Sequence, residues 1–114
     1  MAEIDLVTCE NVIEELRKIT IKKLKYLGDR SLEVALLELD RAVSDIEVMP
    51  KTGYAKKIKA AEQLITHTKD VPILAAVLEV LPDYFISGDA HFFTEKIKNI
   101  VKIKTAKEFL SETT

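Results

Sequence analysis

The 114-residue chain has a single cysteine, Cys9. One thiol excludes an internal disulfide and any zinc site built from several cysteines. Only three glycines and three prolines are present, with no repeat or low-complexity stretch, so linkers are scarce and one domain over residues 1–114 is expected. The glycines at 28, 53 and 88 make neither a G-x-G-x-x-G turn nor a Walker loop, which excludes a recognisable cradle for a dinucleotide or triphosphate. No apolar run approaches the roughly 18 residues needed to span a bilayer. Residues 1–30 lack the basic start, apolar stretch and small-residue cleavage site of a secretory leader, so no membrane contact and a cytoplasmic location are expected. Charge of one sign is also missing: 17 Lys and Arg stand against 19 Asp and Glu, a net charge of −2. That balance excludes a protein gripping nucleic acid over its whole surface, so any such contact must be local.

What is present is a globular composition, 47% hydrophobic and 32% charged, arranged in helical and strand periods. Residues 3–7 alternate as a half-buried strand, and Thr8 offers an N-cap for the following helix. Val12, Ile13, Leu16 and Ile19 share one helical face, while Ile21, Leu24 and Leu27 fall out of step, which predicts a break near Thr20 and a stop at Gly28. Ser31 is the candidate cap of a second helix whose apolar face is Leu32, Ala35, Leu36, Leu39, Val43 and Ile46. A strand over 46–49 ends at Pro50, and a helix is expected from Tyr54 through Ile65. From Asp70 to Leu81 only Asp70 and Glu79 are polar, which predicts a helix with almost no solvent face, started by Asp70 and Pro72. Short strands over 84–87 and 100–103 follow. Thr105 and Glu108 form a capping-box pattern opening a final helix. Strands separated by helical crossovers imply an α/β fold with a mostly parallel sheet.

Ligands in such sheets gather beyond the carboxyl ends of the strands, where Thr8, Cys9, Ser87, Gly88 and Asp89 fall. Asp70 and Asp89 are the informative acids. Asp70 reads either as an N-cap or as a site carboxylate, and Asp89 either as a turn residue after Gly88 or as its partner. Glu15 belongs to a run with Glu14, Arg17 and Lys18 whose ordinary role is solvation. If Glu15, Asp70 and Asp89 converged, their oxygens would suit Mg²⁺ or Mn²⁺ and metal-assisted phosphodiester hydrolysis. His67 and His91 lie far apart in sequence without a cysteine partner, so solvated or capping histidines are expected rather than a zinc site. Cys9 reads as a small buried residue, because no base stands near it in sequence. Residues 17–30 carry six basic residues against one acid, and residues 96–107 carry five lysines and no acid; these clusters can touch phosphates or simply solvate helix faces. No aromatic-rich strand offers base stacking.

DVPILAAVLEVLPDYFISGDAHFF at 70–93, followed by IVKIKTAKEFL at 100–110, resembles the C-terminal half of a PIN domain. IDLVTCENVIEELRKI at 4–19 is similar to that family's second strand and acid-bearing helix, and IEVMP at 46–50 to its third strand. The resemblance implies a parallel sheet flanked by helices on both faces and a Mg²⁺- or Mn²⁺-dependent endoribonuclease, often the toxin of a toxin–antitoxin pair. It puts metal-binding and catalytic acids at Glu15 (with Glu14 as fallback), Asp70 and Asp89, with Ser87, Gly88 and His91 in support. His91 stands where many members carry a further Asp. The family's opening strand and its Asp have no counterpart here, so the resemblance implies either an N-terminally truncated domain, the favoured reading, or a rearranged sheet with residues 3–8 in the central position, completed by another chain; under either, metal binding is expected to be weakened. RNA, an antitoxin-like protein and further copies of the chain are the implied partners. The alternatives are a non-catalytic PIN-like module that self-associates or binds protein, and an unrelated α/β fold. In the latter, the carboxyls of Asp70 and Asp89 would lie more than about 10 Å apart, too far to share an ion.

Overall fold

The computed structural model describes residues 5–113. The chain divides into two compact units, Met1–Lys51 and Thr52–Thr114. In the first, β1 (Val7–Cys9) feeds α1 (Glu10–Leu24), a 3₁₀ turn (Lys25–Leu27), α2 (Asp29–Val43) and β2 (Glu47–Met49). The two strands pair in parallel with Val7 opposite Glu47 and Cys9 opposite Met49, as a helical crossover requires. The strand expected over 3–7 begins outside the described residues, and the described part is shifted towards Cys9. Thr8 therefore lies within the strand, and Cys9 takes the N-cap position in extended geometry without a side-chain cap bond.

No break occurs at Thr20. Its hydroxyl donates to the Leu16 carbonyl at 2.8 Å, so the residue is absorbed into a continuous helix. Glutamate and lysine pairs anchor the start of this element: the Lys51 backbone N–H donates to Glu10 at 3.1 Å and the Lys51 ammonium meets Glu14 at 2.8 Å. Gly28 separates the 3₁₀ turn from α2 by a single residue at φ 97°, a conformation that a side chain would strain. That geometry starts α2 at Asp29 and leaves Ser31 inside it, correcting the expected cap. The predicted α2 face holds for Leu32, Ala35, Leu36, Leu39 and Val43, all half-buried, whereas Ile46, also half-buried, lies beyond the end of α2 in the turn before β2.

From the last residue of the first unit onwards, α3 (Lys51–Tyr54), a 3₁₀ turn (Ala55–Lys57) and α4 (Ile58–Glu62) replace the one helix expected from Tyr54. After them come α5 (Val71–Val80), β3 (Phe85–Ile86), a 3₁₀ turn (Ala90–Phe92), α6 (Glu95–Lys98), β4 (Ile103–Lys104) and α7 (Ala106–Thr113). α5 packs on α4 and buries Val71, Leu74, Ala75, Ala76 and Val77. Its near-uniform apolarity is thus core packing. Leu81, at φ 49°, ends it with its N–H on the Val77 carbonyl at 2.7 Å, and Pro82 prevents continuation. β3 and β4 pair in parallel, Phe85 opposite Ile103 and Ile86 opposite Lys104. β4 is displaced from the expected 100–103 to Ile103–Lys104, and Val101 is buried in the bend after α6. The parallel α/β character is as expected, carried by two two-stranded sheets among the described residues.

The capping box is present in both directions. Glu108 N–H donates to the Thr105 hydroxyl at 3.1 Å, and Thr105 N–H donates to the Glu108 carboxylate at 2.9 Å. The Thr105 backbone N–H first, and the Thr105 hydroxyl beside it, hold the Glu108 carboxyl below its ordinary range. A carboxyl depressed by folding stabilises the fold above its unfolded pKa and loses that contribution as pH falls through the folded value. Thr105→Ala is expected to cost about 1 kcal/mol in chemical denaturation at neutral pH. In an NMR titration the same variant returns the Glu108 carboxyl towards its ordinary range.

Candidate functional site

The second unit brings two of the three expected acids together. Asp70 occupies the N-cap position of α5, yet its side chain makes no cap bond. The capping explanation of this residue therefore fails. Its carboxylate, 13% exposed, instead meets His91 Nδ1 at 2.9 Å. The same nitrogen lies 3.2 Å from Asp89 Oδ1. Asp70 Oδ2 and Asp89 Oδ1 can thus be no farther apart than the sum of those two contacts, well inside the separation that an unrelated fold with scattered acids required.

Local turns explain why these groups point the same way. Asp89 follows β3 and caps the 3₁₀ turn, accepting the His91 backbone N–H at 2.9 Å. Its own N–H donates to the Ser87 hydroxyl at 3.1 Å, which fixes the approach to the site. Phe92 is buried and sets its ring edge-on to Phe85, 5.0 Å between centroids, so this turn is anchored to the core beside the strand. Gly88 has an ordinary backbone and open space where a Cβ would stand, so no conformational demand requires glycine there. Asp89 consequently does act as a turn residue, while its second contact joins it to Asp70.

Sequence reasoning missed His67. A turn in which Asp70 N–H donates to the His67 carbonyl at 2.9 Å folds this residue back over the start of α5. Its ring stacks on that of His91, with centroids 3.4 Å apart and planes 8° from parallel. Both histidines are exposed, in keeping with the expected solvated role, but their separation in sequence is closed by the crossover through α5 and β3, which the sequence did not show. The available signal was the spacing of each histidine to an acid, His67 to Asp70 and Asp89 to His91. Thr66, His67, Thr68, Lys69, Asp70, Asp89 and His91 line a pocket of about 520 Å³. Glu15 lies on α1 of the first unit, 3.8 Å from Lys18, and the fallback Glu14 is engaged by Lys51.

A pocket with two carboxylates and two imidazoles at the carboxyl end of a parallel strand is suited to a divalent cation. A family model described as PIN domain matches residues 1–108, and the chain belongs to the PIN-domain family. Members of the family are generally nucleases that use a divalent metal and bind RNA. No curated protein and no solved structure matches the chain. Among the described residues no helix is long and apolar enough to cross a membrane.

Proposed function

We propose that the chain is a divalent-metal-dependent endoribonuclease, of the kind that serves as a toxin in toxin–antitoxin pairs, working in the cytoplasm as a single PIN-like domain. One observation carries this reading: Asp70 sits at a helix start without capping it and turns its carboxylate to the nitrogen that Asp89 also approaches. Asp70 and Asp89 are the acids we assign to metal binding and catalysis; Glu15 joins them on the family resemblance alone, with Glu14 as its fallback. The donor set suits a divalent ion, Mg²⁺ or Mn²⁺ in the reading the family supports. Such an ion, when bound, supplies charge against phosphate oxygens and acidifies water.

The chain's own groups do the positioning. His91 spaces the two carboxylates, Ser87 orients the Asp89 backbone, and the burial of Asp70 keeps its charge in a medium where it acts more strongly than in bulk water. The reaction is hydrolysis: a water oxygen bonds to phosphorus, the ester P–O bond breaks, and the departing oxygen takes a proton. Lysines at 22, 23 and 25 and at 96, 98 and 102 supply the local positive charge that RNA phosphates require. The test is RNA cleavage by the purified chain with and without added divalent ion, beside Asp89→Asn.

A second reading, self-association, is favoured by the first unit. Neither α1 nor α2 contains a buried residue, while Val34 is 53% and Leu37 60% exposed. Apolar side chains exposed in this way are the material of interfaces. Sedimentation at micromolar concentration is expected to show a homo-oligomer, and a clean monomer contradicts this reading.

A further inference from the structure

We infer that His67, Asp70 and His91 form a three-ligand site for a transition ion with affinity for imidazole, Zn²⁺ foremost, in preference to Mg²⁺. The inference shares the location of the nuclease reading but does not require RNA cleavage. Its carrying observation is that one ligand atom from each of these side chains lies within 4.8 Å of the other two. In a tetrahedral site, ligand atoms about 2.0–2.2 Å from the ion stand about 3.3–3.6 Å apart. Closing the free geometry on an ion therefore takes a side-chain movement of about 1 Å or more, within reach of the exposed histidines.

Donor chemistry selects the ion. Mg²⁺ demands near-octahedral oxygen coordination and keeps several waters, whereas two imidazoles and one carboxylate match the sets that hold catalytic zinc with a fourth position open. An all-acid site would accept either class of ion. The two histidines change that, because nitrogen ligands raise affinity along the divalent transition series while offering Mg²⁺ little. Asp89 supports the set from behind, accepting the backbone N–H of His91 at 2.9 Å and so fixing the turn from which that side chain projects. The turn onto Asp70 and the stack on His91 bring the His67 ring beside the other two ligands, and rotation of the exposed rings out of the parallel stack turns their nitrogens onto a common ion.

The experiment is titration of the full chain, freed of metal by a chelator, with Zn²⁺ alone and Mg²⁺ alone by calorimetry, and with Co²⁺ followed by visible absorption. The expected result is one equivalent of Zn²⁺ bound at least about 100-fold more tightly than Mg²⁺, with Co²⁺ giving the intense bands of a four-coordinate site. His67→Ala, a change at an exposed position, is expected to weaken Zn²⁺ at least about 10-fold and dim the Co²⁺ bands, with an unchanged circular dichroism spectrum as the folding control. Equal Zn²⁺ affinity in wild type and His67→Ala overturns the inference, as does Mg²⁺ binding as tight as Zn²⁺. Mg²⁺-supported RNA cleavage with no zinc preference would end this inference and leave the nuclease reading standing. Zinc binding through His67 without RNA cleavage under any ion would do the reverse.

Discussion

Asp70→Asn is expected to lower metal-dependent RNA cleavage at least about 100-fold while leaving the fold intact. The substitution is nearly isosteric, and asparagine is as good an N-cap as aspartate. If Asp70 served only to start α5, nothing measurable would follow. Its carboxylate, however, makes no cap bond, is largely buried and faces His91 and the pocket. Removing one charge from a metal-binding pair removes several kcal/mol of stabilisation of the developing charge on phosphate, and each 1.36 kcal/mol is tenfold in rate. The amide oxygen still accepts a hydrogen bond from the His91 ring, so thermal stability is expected to change by less than about 1 kcal/mol. Single-turnover cleavage assays and a melting curve on the same preparation separate the two effects. A variant with wild-type cleavage would return Asp70 to the role of a plain helix start.

Leu74→Ala has the largest expected effect on stability, a loss of about 2–5 kcal/mol. Leu74 is 1% exposed, one of the largest fully buried side chains among the described residues, and belongs to α5, which packs on α4. Truncating a side chain enclosed this completely leaves a cavity, whose cost adds to the lost transfer free energy. The melting temperature is expected to fall by about 10 °C or more for a domain of this size. Because α5 begins at Asp70, loosening its packing also disorders the carboxylate. Cleavage should therefore fall with stability in Leu74→Ala, in contrast to Asp70→Asn, where the two separate. Thermal denaturation followed by circular dichroism reads the first effect, and a loss below about 1 kcal/mol would show that α5 is not the core of the second unit.

How far these features were legible in the sequence depended on the range of the interaction. The α2 face and the apolar length of α5 were readable because each repeats a short-range period over ten or more residues. Thr105 and Glu108 were readable because both bonds of a capping box close within three residues. The starts of α1 and α2 were not, since the choice among Thr8 and Cys9, or Gly28 and Ser31, turned on backbone geometry: a strand running on to Cys9, and a positive φ that only Gly28 adopts without strain. Two-residue strands such as β3 and β4 carry almost no periodic signal, so their bounds were not legible.

The candidate site divides in the same way. Asp70 and Asp89 stood out locally, one as the polar end of an apolar helix and one beyond a strand, but either had a local explanation. Only tertiary structure showed that Asp70 does not use its capping option and that His91 stands between the two. His67 was invisible to spacing arguments because its partner ring arrives across a crossover. Its stacking on His91 converts two isolated histidines into a matched pair beside a buried acid.

The most direct measurement of the nuclease reading is cleavage of a defined RNA by the purified chain with Mn²⁺ or Mg²⁺ added, repeated with a chelator and with Asp89→Asn. The expected result is cleavage that appears with the ion, disappears with the chelator and falls at least about 100-fold in the variant. Equal residual cleavage in wild type and Asp89→Asn, indifferent to the ion, would contradict it.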